Sequence, residues 1–169
     1  MASRMMRVLR HRLVDERDTR RLLGGAALAR IEQRVAASER HHSGEIRVCI
    51  EAGLPLSYLW RGASARERAV AMFGKLGVWD TEQNNGVLIY LLLAEHRIEI
   101  VADRGVSRHV DAKEWATITE TMSEAFRKRD FEAGLLRAID AVDTLLVRHY
   151  PVGEGAANRN ELPDAPALR

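Results

Sequence analysis

The chain has 169 residues, 46% of them apolar and 30% charged, the make-up of one globular domain with a core of its own. A single cysteine, Cys49, excludes an internal disulfide framework and a multi-cysteine zinc site, and fits a reducing compartment. The net charge is +2, but residues 1–21 hold seven arginines against three acids, so the remainder is net −2 and the folded part is no basic nucleic-acid binder.

No stretch reaches the ~18 apolar residues that a transmembrane helix needs. The opening, MASRMMRVLRHRLVDERDTRR, scatters arginines without an apolar core and makes a poor secretory signal. The expectation is that the mature protein begins here and stays in the cytoplasm. Residues 1–21 read as a basic leader. Met5, Met6, Leu9 and Leu13 could form one side of an amphipathic helix on anionic lipid, with Arg7, Arg10 and Arg12 on the other. That reading implies a peripheral location, with a protein partner at the membrane surface. The plainer reading is a solvated leader that packs loosely or frays.

Residues 22–150 read as the folded α/β domain. From Leu22 to Arg40, Leu28, Ile31 and Val35 recur at helical spacing, and Gly24-Gly25 separates this helix from the leader. It ends near His41-His42-Ser43-Gly44, where a polar helix end is a simpler account of the histidines than a zinc site. Glu45 to Glu51 alternates, with Ile46, Val48 and Ile50 inward and Glu45, Arg47 and Glu51 outward: a half-exposed strand. Cys49 lies within it, with no obvious base beside it. Gly53 to Gly62 is a loop whose Tyr58 and Trp60 would pack on the core, or else line a cleft.

Ser64 with Glu67 three residues on forms a capping box for a helix that buries Ala69, Met72, Phe73 and Leu76 and stops at Gly77. Val87 to Leu93 is an unbroken apolar run of strand length, the centre of the sheet. Strand, helix, strand makes a crossover unit, so the first strand lies parallel to the central one. His96 to Ala102 alternates again; a two-residue connection at Ala94-Glu95 would pair Leu93 with His96 and place Gly86 opposite Asp103 and Asn85 opposite Arg104. Asp111 caps the next helix, which carries Trp115, Ile118, Met122 and Phe126 down one face. A last helix runs from Asp130 to His149 and Pro151 stops it, leaving residues 151–169 as a disordered tail.

The fold expected is therefore α/β: a three-layer α/β/α sandwich on a small mixed sheet, combining a parallel crossover unit with an antiparallel hairpin. Its register gathers Asn84-Asn85-Gly86 and Asp103-Arg104-Gly105 at one end, with Ser43, Glu45 and Asp111 near. Such tripeptides are also ordinary turn sequences. Read as a site, the oxygens of Asn84, Asn85, Asp103 and Asp111 suit a hard cation, Ca or Mg, and Arg104 beside a helix N-terminus suits a phosphate-containing ligand.

The ordered set Ser43-Gly44-Glu45-Ile46-Arg47-Val48, Asn85-Gly86-Val87-Leu88-Ile89, Ile98-Glu99-Ile100-Val101-Ala102, Phe126-Arg127 and Phe131-Glu132-Ala133-Gly134 resembles the TPM-domain family, over roughly residues 28–150. That family includes a thylakoid-lumen acid phosphatase and many bacterial proteins of unknown role. The resemblance implies an α/β/α sandwich, divalent-cation binding in some members and weak phosphatase activity in others. Three departures stand out. Asn84 is neutral where the family often has an acid, Ala102-Asp103-Arg104-Gly105 replaces a glycine-rich turn, and the N-terminal signal and C-terminal membrane helix of many members are missing. The resemblance leaves two functional readings. One is a cation-binding or interaction module that binds its ion weakly. The alternative is a weak metal-assisted phosphomonoester hydrolase in which Arg104 holds the phosphoryl oxygens while Asp103 and Asp111 orient water.

Overall fold

The computed structural model describes residues 2–152 and 160–169. Helices α1 (Ala2–Arg12), α2 (Glu16–Leu22) and α3 (Gly25–Ser38) precede strand β1 (Glu45–Glu51). Helices α4 (Leu56–Trp60) and α5 (Ala65–Lys75) lead to β2 (Gly86–Leu92), and β3 (Arg97–Ala102) follows. Then come α6 (Arg104–Ser107), α7 (Ala112–Arg127), α8 (Phe131–His149) and a short β4 (Ala167–Leu168).

The sheet runs β3-β2-β1-β4. β1 pairs with β2 in parallel, Glu45 opposite Gly86, and β3 is antiparallel to β2, Val87 opposite Ala102 and Leu92 opposite Arg97. This is the expected register, reached through a longer connection. Leu93–Glu95 makes a 3-10 turn and His96 takes a left-handed φ of 50°, so the reversal runs from Leu93 to His96 rather than through Ala94-Glu95 alone.

Each strand sends alternate residues to opposite faces. Ile46, Val48, Ile50, Val87, Ile89, Leu91, Ile98 and Ile100 meet α3, α7 and α8 through Ile31, Val35, Phe126, Leu135, Ile139 and Val142. Cys49, Leu88, Tyr90, Leu92 and Val101 meet Leu59, Ala69 and Met72 of α4 and α5. The result is the three-layer α/β/α sandwich. Ser64 and Glu67 form the capping box that starts α5, and Gly77, at a φ of 70°, lies just beyond its end.

Several expectations need correcting. β1 is not half-exposed: all seven positions are buried, because the returning end of the chain pairs with its free edge and, together with α5, covers its outer face. β4 pairs with β1, Arg169 N–H donates to Ile50 O at 3.0 Å, and Arg47 donates to the carbonyls of Pro163 and Ala165. The supposed disordered tail therefore ends in the sheet, while its residues 153–159 lie outside those described. The leader is helical and docked rather than loosely packed: α2 carries its own capping box from Asp15 to Asp18, and α1 is tied to the domain by Arg7 and His11. Trp60 does not pack in the core; it is 75% exposed. Among the described residues no helix is long and apolar enough to cross a membrane.

Candidate functional site

The polar end is built from the turn before β2 and the turn after β3. Asn84 takes a left-handed φ of 51°, a conformation that asparagine tolerates better than most residues. The next residue, Asn85, is therefore turned inward and fully buried. Its backbone N–H donates to Thr81 Oγ1 at 3.1 Å, and its Nδ2 donates to the Ser43 carbonyl at 2.9 Å, so one side chain ties the start of β2 to the approach to β1. Its Oδ1 is buried with no hydrogen-bond partner. Gly86 follows because a Cβ there would run into the Val78 carbonyl.

Across the ladder, Asp103 N–H donates to Gly86 O at 2.9 Å, which fixes the residue at the same end as Asn85. Asp103 is buried and starts α6, its Oδ1 accepting the Arg104 N–H at 2.6 Å. Its Oδ2 is buried without a partner. Arg104 lies on the outside of the same turn, exposed. Asp111 is exposed and caps α7, accepting the Glu114 N–H at 2.8 Å. The register thus joins Asn84, Asn85 and Asp103, leaves Arg104 on the rim, and commits one oxygen of Asp111 to its helix.

Sequence reasoning missed what closes this end. α8 is 19 residues long, about 28 Å at 1.5 Å per residue, so it returns the chain to the polar end and delivers Tyr150 there. A Cβ on Gly105 would lie 2.9 Å from the Tyr150 hydroxyl oxygen. Burial raises the Tyr150 phenol above its ordinary range, with the Asp103 charge adding to the rise and Arg108 opposing it. His109 stacks on His149 with centroids 5.1 Å apart and meets Tyr150 edge-on at 6.0 Å. Pro151 directly after Tyr150 was the available signal, since it sets where α8 must stop.

Beside Asn85, the start of β1 carries a second polar group. Glu45 is fully buried, its Oε2 accepting the Leu162 N–H at 3.0 Å, and burial pushes its carboxyl up to about 7. Glu39 accepts the Ile46 N–H at 2.9 Å, and burial pushes it up to about 9. His42 is buried rather than exposed at a helix end; it bridges to Pro151 and its Nε2 lies 3.5 Å from Asp143 Oδ1. Among the described residues no group of three or more His, Cys, Asp or Glu gathers in a metal-holding arrangement. Any ion at this end would rely on amide and carbonyl oxygens beside the buried carboxyls of Asp103 and Glu45, whose Oε1 is also without a hydrogen-bond partner.

The family model described as the TPM domain matches residues 17–145 of the chain. Among solved structures, the chain is similar to the BA42 protein of the psychrophilic bacterium Bizionia argentinensis: 25% identity, a TM-score of 0.76, and 87% of this chain over 95% of that one. It also shares its fold with the N-terminal domain of a protein from P. gingivalis, at 21% identity and a TM-score of 0.60, over 79% of this chain and 83% of that one. No curated protein matches the chain significantly.

Proposed function

The chain belongs to the TPM-domain family, and from that premise and the chemistry of its polar end we propose that it is a cation-binding module whose site centres on Asp103 and Asn85. The observation that carries this reading is the pair of oxygens, Asn85 Oδ1 and Asp103 Oδ2, buried at one end of the sheet without hydrogen-bond partners. A buried unsatisfied polar atom costs roughly 1–3 kcal/mol, and more when it is charged. A hard divalent ion, Ca or Mg, is the kind of ligand that would satisfy such an oxygen. Asn84 and Asp111 would stand at the rim as further oxygen donors. With Asp103 the one buried carboxylate among these donors, the site belongs at the weak end of the calcium range, about 10⁻⁴ to 10⁻³ M.

Calorimetric titration with calcium tests this on the natural chain and on Asp103→Asn, which keeps the acceptor for the Arg104 N–H while removing the charge. Binding should be weak in the first and lost in the second. Equal binding by both would sink the reading.

Phosphomonoester hydrolysis remains the second reading, favoured by one observation the sequence did not offer: Arg108 acts on Tyr150 at the same rim as Arg104, so two cations border the turn. A trianionic transition state needs several such groups. Turnover of a generic aryl phosphate, abolished in Asp103→Ala, would support it over the binding module.

A further inference from the structure

Helix α1 is packed with its polar face inward. Arg7 Nε donates to Glu95 Oε1 at 2.8 Å and its Nη2 donates to the Ala63 carbonyl at 2.7 Å. His11 is buried; its Nδ1 accepts the Leu54 N–H at 3.0 Å, which leaves Nε2 to donate to Glu95 Oε1 at 3.0 Å. Val8 packs beside them on the α4–α5 side of the core. At about 100° per residue, Arg7, Val8 and His11 share one side of the helix, and Met5, Met6 and Leu9, continued by Leu13, share the other. Those four side chains are between 53% and 73% exposed. Single exposed apolar residues are ordinary; a continuous stripe marks a contact surface.

The stripe has a chemical frame. On the same wheel Arg12 falls on one border and Arg10 on the other. Exposed Trp60 extends the apolar surface, sharing a groove with Met5, Val8 and Leu59. On the Arg10 border, Met6, Arg7, Arg10, Glu95 and Arg97 line a cleft of about 480 Å³. Glu95 is already engaged by Arg7 and His11, so the charge left to the cleft is positive. A second copy of the chain would set arginine against arginine across the stripe, whereas a surface of anionic headgroups over an acyl interior complements both parts. Tryptophan is at home at that boundary.

We propose that this face docks the protein on an anionic phospholipid bilayer. α1 lies in the plane of the interface, with Met5, Met6, Leu9, Leu13 and Trp60 inserted and Arg10, Arg12 and Arg97 against headgroup phosphates. The surface lies at the opposite end of the sheet from Asn85 and does not depend on the cation site.

The test is co-sedimentation of the full chain with phosphatidylglycerol–phosphatidylcholine vesicles and with phosphatidylcholine alone. The natural chain should partition onto the anionic vesicles, release in high salt, and show a tryptophan blue shift that Trp60→Phe removes. Met5→Ser with Leu9→Ser, and separately Arg10→Glu with Arg12→Glu, should each lower partitioning by at least about tenfold, all four positions being exposed. The proposal fails if the natural chain ignores anionic vesicles or binds neutral ones equally, or if both paired variants bind like it. It fails too if soluble glycerophosphoglycerol displaces the protein, or if the stripe holds a dimer that Leu9→Ser dissolves.

Discussion

The N–H of Gly105 donates to the carbonyl of Asn84 at 3.0 Å, so the turn that leaves β3 is bonded to the turn that enters β2. This contact needs a residue without a side chain, since a Cβ on Gly105 would press on the Asn84 carbonyl and the Tyr150 hydroxyl together. Gly105→Ala should therefore cost about 1–3 kcal/mol, the usual range for overpacking. Gly74 supplies the contrast. It lies inside α5 with open space where a methyl would sit, so Gly74→Ala should stabilise by about 0.5–1 kcal/mol. Thermal melting of both variants reads the opposite signs; a Gly105→Ala protein that melts like the natural one would mean the two turns are not coupled.

Much of this arrangement was legible in the sequence because it follows from period and punctuation. The apolar run at Val87, the alternation around Ile98 and the capping residues Ser64 and Asp111 each state a local rule, and the β2–β3 register followed from them. What escaped was set by parts of the chain far apart. Arg47 and Glu51 look like the outer face of a strand until the returning segment and α5 cover them. Tyr150 joins the polar end only because α8 has the length to bring it back. His11 reads as part of a charged leader, and nothing local says that Leu54 and Glu95 will bury it.

Covering the outer face of β1 placed a charge in the interior. Glu51 accepts two bonds from Arg68 Nε and one from its Nη2 at 2.6 Å, and Tyr90 Oη donates to its Oε2 at 2.5 Å. Removing either partner strands the other in a medium that cannot solvate it, so Glu51→Ala and Arg68→Ala should each cost about 3–5 kcal/mol. The double variant should cost clearly less than their sum, and Tyr90→Phe should cost about 1.5–3 kcal/mol. Urea denaturation of the four proteins closes the cycle; additive single costs would show that the pair is not coupled.

Glu39 and Glu45 make stability fall as pH rises. Burial is the main cause in both, raising Glu39 to about 9 and Glu45 to about 7, and Glu45 and Asp164 add to the rise at Glu39. The unfolded chain releases these protons near pH 4.3, about the value of a free glutamate. Above that and below about 9 the folded state holds more protons than the unfolded one, so each step up in pH favours unfolding. The melting temperature should drop between about pH 5 and pH 9, more steeply below about 7, where both folded-state carboxyls hold protons, than above it, where only Glu39 does. Glu39→Gln, which keeps an oxygen to accept the Ile46 N–H, should flatten most of the slope. An unchanged slope in that variant would place the titrating group elsewhere.

Asn84 offers the most direct route to a stronger ion site. Its left-handed φ is one that aspartate also tolerates, and its carbonyl is held by Gly105, so Asn84→Asp should leave the turn in place. The side chain is exposed, so the new charge carries little desolvation cost in the free protein. It would stand at the same end of the ladder as the unpartnered Asp103 Oδ2. A second carboxylate about 5 Å from a divalent ion contributes, at the dielectric of water, roughly 1 to 2 kcal/mol, about a tenfold gain in affinity. The gain should shrink as salt is added, because the charge is at the surface. Calcium titration of the natural chain and of Asn84→Asp at low and high salt measures this. Submicromolar binding by the natural chain, or no gain from the added carboxylate, would show that Asn84 only shapes the turn and that any ion sits away from it.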